Sequence, residues 1–313
     1  MKVTIIVPVY NTEKELQNTL DSLINQTYSD IEILIINDGS TDNSEKIILE
    51  YKQKTEKIVY IKKENTGIAD TRNLGITNAT GDYILFVDSD DYISKVLVEN
   101  LSKYMEQNVD LIKFKLQRVD EEENILEKVD GAIFDKINGQ EAFNKLYCTD
   151  VLLDSPCVYL YKRDYLLKNN FKFKVGTYHE DFGLIPLIVV KADSVVSIDY
   201  YGYYYVQRND SITRNENYEK TLKRMRDSLI QYDNMLQQIK IYNLDKITEE
   251  NIKIYYTNAI ILKLKELNKK DQYIFIKEIK QRKMFSNIKI RNIKQLIKKV
   301  ILLLNVRWYL KIK

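Results

Sequence analysis

Two periodicities alternate through the first third of the chain. Residues Val3–Val9 form a near-continuous apolar run and residues 31–36 form another, the pattern of strands buried on both faces of a parallel sheet. Between them Leu16, Leu20, Leu23 and Ile24 recur at helical spacing. Residues 59–61 and 83–87 supply two further strands, separated by a helical stretch over residues 69–77. This βαβαβαβ order predicts an α/β domain with a mostly parallel sheet. After Val109 the pattern turns mixed, with a strand candidate at 111–116 and an acidic turn at 120–124. From Tyr218 onward glycine and proline vanish, and the charged, Leu/Ile-rich sequence reads as helices, so a boundary is placed near Asn215. The run Tyr200-Tyr201-Gly202-Tyr203-Tyr204-Tyr205 reads either as a plain core strand or as a strand lining a pocket.

Composition narrows the class. A chain of 313 residues with 44% hydrophobic and 30% charged residues, nine glycines and three prolines is a folded protein, neither collagenous nor disordered. Its length favours two structural units. Two cysteines without CxxC spacing and a single histidine exclude a disulfide framework and a zinc site, so Cys148 and Cys157 are read as reduced thiols in a cytoplasmic protein. Residues 1–11 do not form a secretory signal, and no apolar run approaches the roughly 18 to 20 residues of a membrane span. The net charge of +3 conceals an asymmetry: residues 277–313 carry twelve Lys/Arg and one acid, which leaves −8 on residues 1–276.

The polar residues with chemical potential fall at the carboxyl ends of the predicted strands, where open α/β sheets bind ligands. They are Pro8-Val9-Tyr10-Asn11, Asn37-Asp38-Gly39-Ser40-Thr41-Asp42, Asn65-Thr66-Gly67 and Asp88-Ser89-Asp90-Asp91. Each alone is a common turn; four at one sheet edge make a site. Asp88 and Asp90, at i and i+2, suit a hard divalent cation with positions left for diphosphate oxygens, or else form the acidic cap of a helix over 95–107. An EF-hand fails because Tyr92 and Ile93 occupy positions that need a ligand and a glycine. The following Thr and distant Lys of a phosphoaspartate hydrolase are not found.

Taken in order, Pro8-Val9-Tyr10-Asn11, Asp38-Gly39-Ser40, Asn65-x-Gly67 with Arg72-Asn73-x-Gly75, Asp88-Ser89-Asp90-Asp91, Glu180-Asp181 and Gln207-Arg208-x-x-Ser211-Ile212-Thr213 resemble the motifs of family 2 glycosyltransferases of GT-A fold, over residues 1–215. Within that family the chain is similar to bacterial enzymes that build capsular, teichoic-acid or exopolysaccharide chains. The resemblance implies a Rossmann-like GT-A domain with a nucleotide-binding half over 1–100 and an acceptor half over 101–215, then a helical region over 216–313. It implies that Pro8 and Tyr10 pack on a uracil ring, that Asp38 accepts from its N3–H and that Arg72 faces the base. It places Asp88 near the ribose and the metal, makes Asp90 the direct Mn²⁺ or Mg²⁺ ligand, and sets Arg208 and Ser211 on the diphosphate. Glu180 and Asp181 supply the general base, with Asp181 favoured, and His179 is read as structural or as a contact to the donor sugar or metal. One departure stands out. Cys157-Val158-Tyr159-Leu160-Tyr161 replaces the family's frequent Trp-x-Lys-Leu-Tyr, so Tyr159 and Tyr161 either substitute for it or belong to the core.

The implied reaction is metal-dependent transfer of a hexosyl or N-acetylhexosaminyl group, with inversion, from a UDP-sugar to a hydroxyl of a glycan or lipid-linked acceptor. A nucleotidyltransferase would need a glycine-rich loop after the first strand, which is absent. A non-catalytic nucleotide-sugar-binding subunit is disfavoured by the intact Glu180-Asp181 pair. No nucleic-acid partner is expected. In the tail, Ile290, Ile293, Leu296, Ile297, Val300, Ile301 and Leu304 form one apolar helical stripe with lysines around it. That helix packs on the catalytic domain, mediates a homo-oligomer, or lies on the anionic inner face of the cell membrane as a peripheral anchor.

Overall fold

The computed structural model describes residues 1–149, 153–208 and 218–288. Contacts within the chain divide it into two compact units, Met1–Arg214 and Asn215–Lys313.

The first unit opens with β1 (Val3–Val9), α1 (Leu16–Ile24), β2 (Ile31–Asp38), α2 (Ser44–Lys54), β3 (Ile58–Lys63), α3 (Ile68–Asn78) and β4 (Tyr83–Phe86). β1 pairs in parallel with both β2 and β4, and β2 with β3. Every residue of β1, β2 and β4 is buried, which is why these strands read as near-continuous apolar runs; the buried Glu32 of β2 accepts from Thr4 of β1 (2.8 Å). α1 covers the sheet with Leu16, Leu20 and Leu23, and α3 does so with Ala69 and Ile76. β3 runs longer than the apolar segment 59–61, because it lies at the end of the sheet order and admits Lys62 and Lys63.

The unit continues with β5 (Tyr92–Ile93), α4 (Leu97–Met105), β6 (Leu111–Val119), β7 (Ile125–Val129), β8 (Phe134–Ile137), α5 (Gly139–Thr149), β9 (Tyr159–Lys162), α6 (Arg163–Lys168), α7 (Glu180–Lys191) and β10 (Val195–Val206). All ten strands join one sheet of order β3-β2-β1-β4-β9-β6-β10-β5, with β7 on β6 and β8 on β10. β9 is antiparallel to both neighbours and so separates the parallel β3-β2-β1-β4 block from the parallel β6–β10 pair. β6 runs past the strand candidate 111–116 to Val119, and the buried Lys113, Lys115 and Gln117 alternate with its apolar residues; Lys115 is paired with Asp130 (2.9 Å) and Asp199 (2.6 Å). Tyr159 and Tyr161 belong to the core, their hydroxyls donating to the Leu153 (2.9 Å) and Pro156 (3.0 Å) carbonyls. α5 packs so tightly on α7 that a Cβ at Gly139 would lie 2.1 Å from the Val189 carbonyl oxygen.

The second unit holds α8 (Tyr218–Ile241), α9 (Lys246–Lys263) and α10 (Lys269–Gln281). Asp245 caps α9 by accepting from Ile247 N (2.8 Å) and Thr248 N (2.9 Å), and Asn268 caps α10 by accepting from Asp271 N (2.9 Å). Asn287 donates to the Tyr232 hydroxyl (2.8 Å) and to Thr257 Oγ1 (3.0 Å), tying the chain after α10 to α8 and α9. No described helix is long and apolar enough to cross a membrane. The apolar stripe from Ile290 to Leu304 lies outside the described residues, as does Ser211.

Candidate active site

Asp88 follows β4 directly, and the loop it begins is fastened from two sides. Thr19 of α1 donates through Oγ1 to the Ser89 (3.0 Å) and Asp91 (2.7 Å) carbonyls, and Thr12 bonds the Ser89 hydroxyl at 3.1 Å. From β10, Val206 N donates to Asp91 (2.9 Å). The 88–91 loop thus leaves the carboxyl edge of the sheet as a bonded turn.

Arg72, on α3, is 5% exposed and lies between two acids from distant parts of the chain. It donates to Asp88 (2.9 Å) and to Glu180 at the start of α7 (2.5 Å), with the Phe173 ring 5.5 Å from its guanidinium carbon. Burial pushes the Glu180 carboxyl up to about 7, against the downward pull of Arg72 and with the Asp181 charge adding to the rise. His179, in the left-handed conformation (φ 54°), makes the turn into α7. Asp181 follows Glu180 and lines a cavity of about 610 Å³ together with Arg72, Asp88, Cys157, Tyr205 and Arg208.

Arg208 closes the arrangement from the residues after β10. Its two terminal nitrogens reach Glu15, the N-cap residue of α1, and Asp90, each at 2.5 Å. Its Nε, like that of Arg72, is buried and has no hydrogen-bond partner among the described residues. Loss of solvent around Asp90, with the Asp88 charge beside it, raises its carboxyl above the ordinary range against the pull of Arg208. Burial lifts Asp91 well above that range, with the charges of Asp90 and Asp88 adding to the effect.

A second cavity of about 590 Å³ is lined by Tyr10, Thr12, Glu15, Asp90 and Arg208. Arg208 and Asp91 border both cavities, so the two adjoin. Tyr10, 44% exposed just past β1, offers its ring there, whereas Pro8 is buried within the strand. Asp38, 4% exposed, orders the 65–67 loop: it accepts from Thr66 N and Gly67 N, both at 2.9 Å, and from Lys63. The structure therefore brings together Arg72, Asp88, Asp181 and Arg208 at one cavity, and Tyr10, Asp90 and Arg208 at the other. Arg72 borders the cavity of Asp88 and Asp181 rather than that of Tyr10, because its two terminal nitrogens are committed to acids on the first side.

Glu15 and Cys157 belong to this site without having been singled out for it. Glu15 precedes the helical spacing that begins at Leu16, and nothing in its position along the chain ties it to Arg208. Cys157 lies 3.5 Å from Asp88 Oδ2, where burial pushes its thiol pKa well up. The signal for it was the departure Cys157-Val158-Tyr159-Leu160-Tyr161 itself.

The donor set accommodates a divalent cation shared with a ligand. Asp88 and Asp90 offer hard oxygen donors two residues apart, and the Asp88 charge adds to the rise that burial gives the Asp90 carboxyl, a crowding of like charge that a cation would relieve. Among the described residues no cluster of three or more His, Cys, Asp or Glu forms a closed all-protein site, so the remaining positions fall to ligand oxygens or water.

Acids, arginines and an exposed ring thus gather at the carboxyl edge of an open α/β sheet, the place where such sheets bind ligands. Residues 4–168 match the family model described as "Glycosyl transferase family 2", and the chain belongs to that family. It is 33% identical over 219 residues to the glycosyltransferase GlyA of Streptococcus pneumoniae serotype 4, covering 68% of this chain and 32% of that protein. It is 30% identical over 257 residues to the minor teichoic acid biosynthesis protein GgaB of Bacillus subtilis, covering 76% of this chain and 26% of that one. The chain thus spans about a third or less of the length of these two relatives. A crystal structure of S. aureus TarS 1–349 in complex with UDP-GlcNAc shares the fold with a TM-score of 0.75 at 19% identity, covering 99% of this chain and 88% of that one. The architecture is the GT-A type.

Proposed function

We propose that the chain transfers a hexosyl or N-acetylhexosaminyl group from a UDP-sugar to a hydroxyl of a glycan or lipid-linked acceptor in cell-surface polysaccharide synthesis, with inversion at the anomeric carbon. The observation that carries this reading is the gathering of Asp88, Asp181, Arg72 and Arg208 around one cavity that adjoins the ring of Tyr10. The UDP-GlcNAc bound to TarS, which has the same fold, supports a nucleotide-sugar donor, and the part of GgaB in minor teichoic acid biosynthesis supports a teichoic-acid-like setting.

In this reading Tyr10 packs on the base, and the Arg208 guanidinium, which borders both cavities, holds the diphosphate. Asp88 and Asp90 would hold Mn²⁺ or Mg²⁺, which supplies Lewis-acid stabilisation of the departing diphosphate worth several kcal/mol. Asp181 takes the proton of the acceptor hydroxyl. The freed oxygen forms a bond to the anomeric carbon on the face opposite UDP, and the carbon–oxygen bond to the diphosphate breaks with its electron pair going to UDP. Glu180, pinned by Arg72, holds the start of α7 so that Asp181 faces the cavity.

The test is UDP release from a panel of UDP-sugars in Mn²⁺ and in EDTA, with wild type and Asp90→Ala. Release that needs Mn²⁺ and is lost in Asp90→Ala, with the fold retained by circular dichroism, is the expected outcome. Equal turnover with EDTA, or full turnover in Asp90→Ala, overturns the role of the metal and of Asp90.

A further inference from the structure

The tyrosine run at 200–205 has a use that the transfer reaction does not account for. Tyr203, 1% exposed in β10, points its hydroxyl at the loop that begins with Asp88. That hydroxyl donates to Asp91 Oδ2 (2.7 Å) and accepts from Asp88 N (3.2 Å), so one phenol spans the loop from first residue to last. The Cys157 thiol is also within its reach. Asp91, 3% exposed, uses its other oxygen to accept from Val206 N (2.9 Å), three residues further along the strand and two before Arg208. A buried carboxyl that leans on these donors is costly to leave half satisfied. The loop that carries Asp88 and Asp90 and the strand end before Arg208 are therefore joined by this buried bridge as well as by the more exposed pair of Arg208 with Asp90.

We propose that Tyr203, acting through Asp91, is a positioning residue that fixes the separation between the Asp88/Asp90 carboxylates and the Arg208 guanidinium, and hence the affinity of the site for a cation and diphosphate together. This rests on the reading of that loop as the metal and diphosphate loop. Tyr203 borders the cavity, but its hydroxyl is spent on the loop, on Asp91 and on Asp88 N. Its effect is on where its neighbours stand, as for other groups that orient metal ligands from behind.

Three full-length variants test it. Tyr203→Phe removes the hydroxyl. Asp91→Asn keeps the shape but replaces a carboxylate oxygen by an amide, and it decides the matter if Tyr203→Phe fails to fold. Tyr83→Phe deletes an equally buried hydroxyl that donates to the Val109 carbonyl (2.9 Å) in the core, and it is the control. The expected result is faster hydrogen exchange at amides 88–91 and at Val206 in the first two variants. Calorimetric affinity for UDP in the presence of Mn²⁺ falls by about 10- to 100-fold, while kcat at saturating donor and Mn²⁺ is largely kept. Tyr83→Phe lowers Tm and leaves the exchange and the affinity alone. Unchanged exchange at 88–91 in Tyr203→Phe and Asp91→Asn, or equal loosening in all three variants, overturns the proposal. If the wild type binds no UDP with Mn²⁺, the proposed function falls, and the exchange measurements still decide whether the bridge exists.

Discussion

A guanidinium held between Asp88 and Glu180 makes two carboxylates depend on one residue, and the acids at the start of α7 inherit that dependence. Asp181 is the member of that pair which lines the cavity. Asp181→Asn keeps its shape but cannot accept a proton, so kcat is expected to fall by about 10² to 10⁴ in a UDP-release assay while donor binding is nearly unaltered. An equal loss in Glu180→Gln with Asp181→Asn active would exchange the two roles. Glu180 also carries a pH signature. Its folded-state pKa is raised to about 7, so the folded chain holds this proton more tightly than the unfolded one. The stability it contributes is present at acid pH and is lost as pH rises through about 7. Denaturant titrations should therefore show wild type losing stability relative to Glu180→Gln between about pH 4.5 and 7, with a constant difference above that window. At this scale the acids and arginines were legible in the sequence, because few neutral residues could replace them in such loops. The partners were not. That Arg208 meets Glu15, or that Asp91 meets Tyr203, depends on pairs more than a hundred residues apart, whose approach is set by the sheet and leaves no trace in local spacing.

Elements differ in how plainly they announce themselves, and burial explains the difference. β1, β2 and β4 are buried at every residue and read directly as apolar runs, and the helix over 69–77 appears as α3. β5 has two residues and β9 four, and their membership in the sheet is decided by pairing with β10 and with β4 and β6 rather than by any period of their own. β7 is exposed at four of its five positions and gives no alternation to read. The strand of tyrosines serves both of its readings: Tyr203 is buried, and together with Tyr205 it borders the larger cavity. Contact between elements makes its own demand at Gly139. The atom that a Cβ would strike there is a backbone oxygen of α7, which cannot swing aside. Gly139→Ala should cost about 1 to 3 kcal/mol, read as a lower Tm. Because α7 carries Asp181 at its other end, donor binding should survive better than turnover. A variant as stable as wild type would show that α5 and α7 can separate freely.

For the molecule as a whole, charge is distributed unevenly: −8 over residues 1–276 and +11 over 277–313. If the basic segment binds an anionic surface, each Lys or Arg near it contributes about 1 kcal/mol at low salt. The full chain should then cofloat with anionic but not neutral vesicles and be released by high salt, whereas a chain ending at residue 288, which keeps α10 and Asn287, should stay in the aqueous fraction. Equal partitioning of the two, with both folded, would leave the tail to packing or to self-association.

The place of β9 in the sheet bears on how such a chain is made. It is the plank between β4 and β6, registered through Leu85↔Leu160 on one side and Ile112↔Leu160 on the other. During synthesis β1 to β4 emerge first and can pair among themselves, but the outer side of β4, buried in the finished sheet at Tyr83, Ile84, Leu85 and Phe86, stays bare until residues 159–162 have left the ribosome. For the interval in which roughly 75 residues are added, at about 5 to 20 per second, the nascent chain carries an apolar strand edge several seconds old and open to any other strand. The four residues that close it decide when the growing chain stops being adhesive.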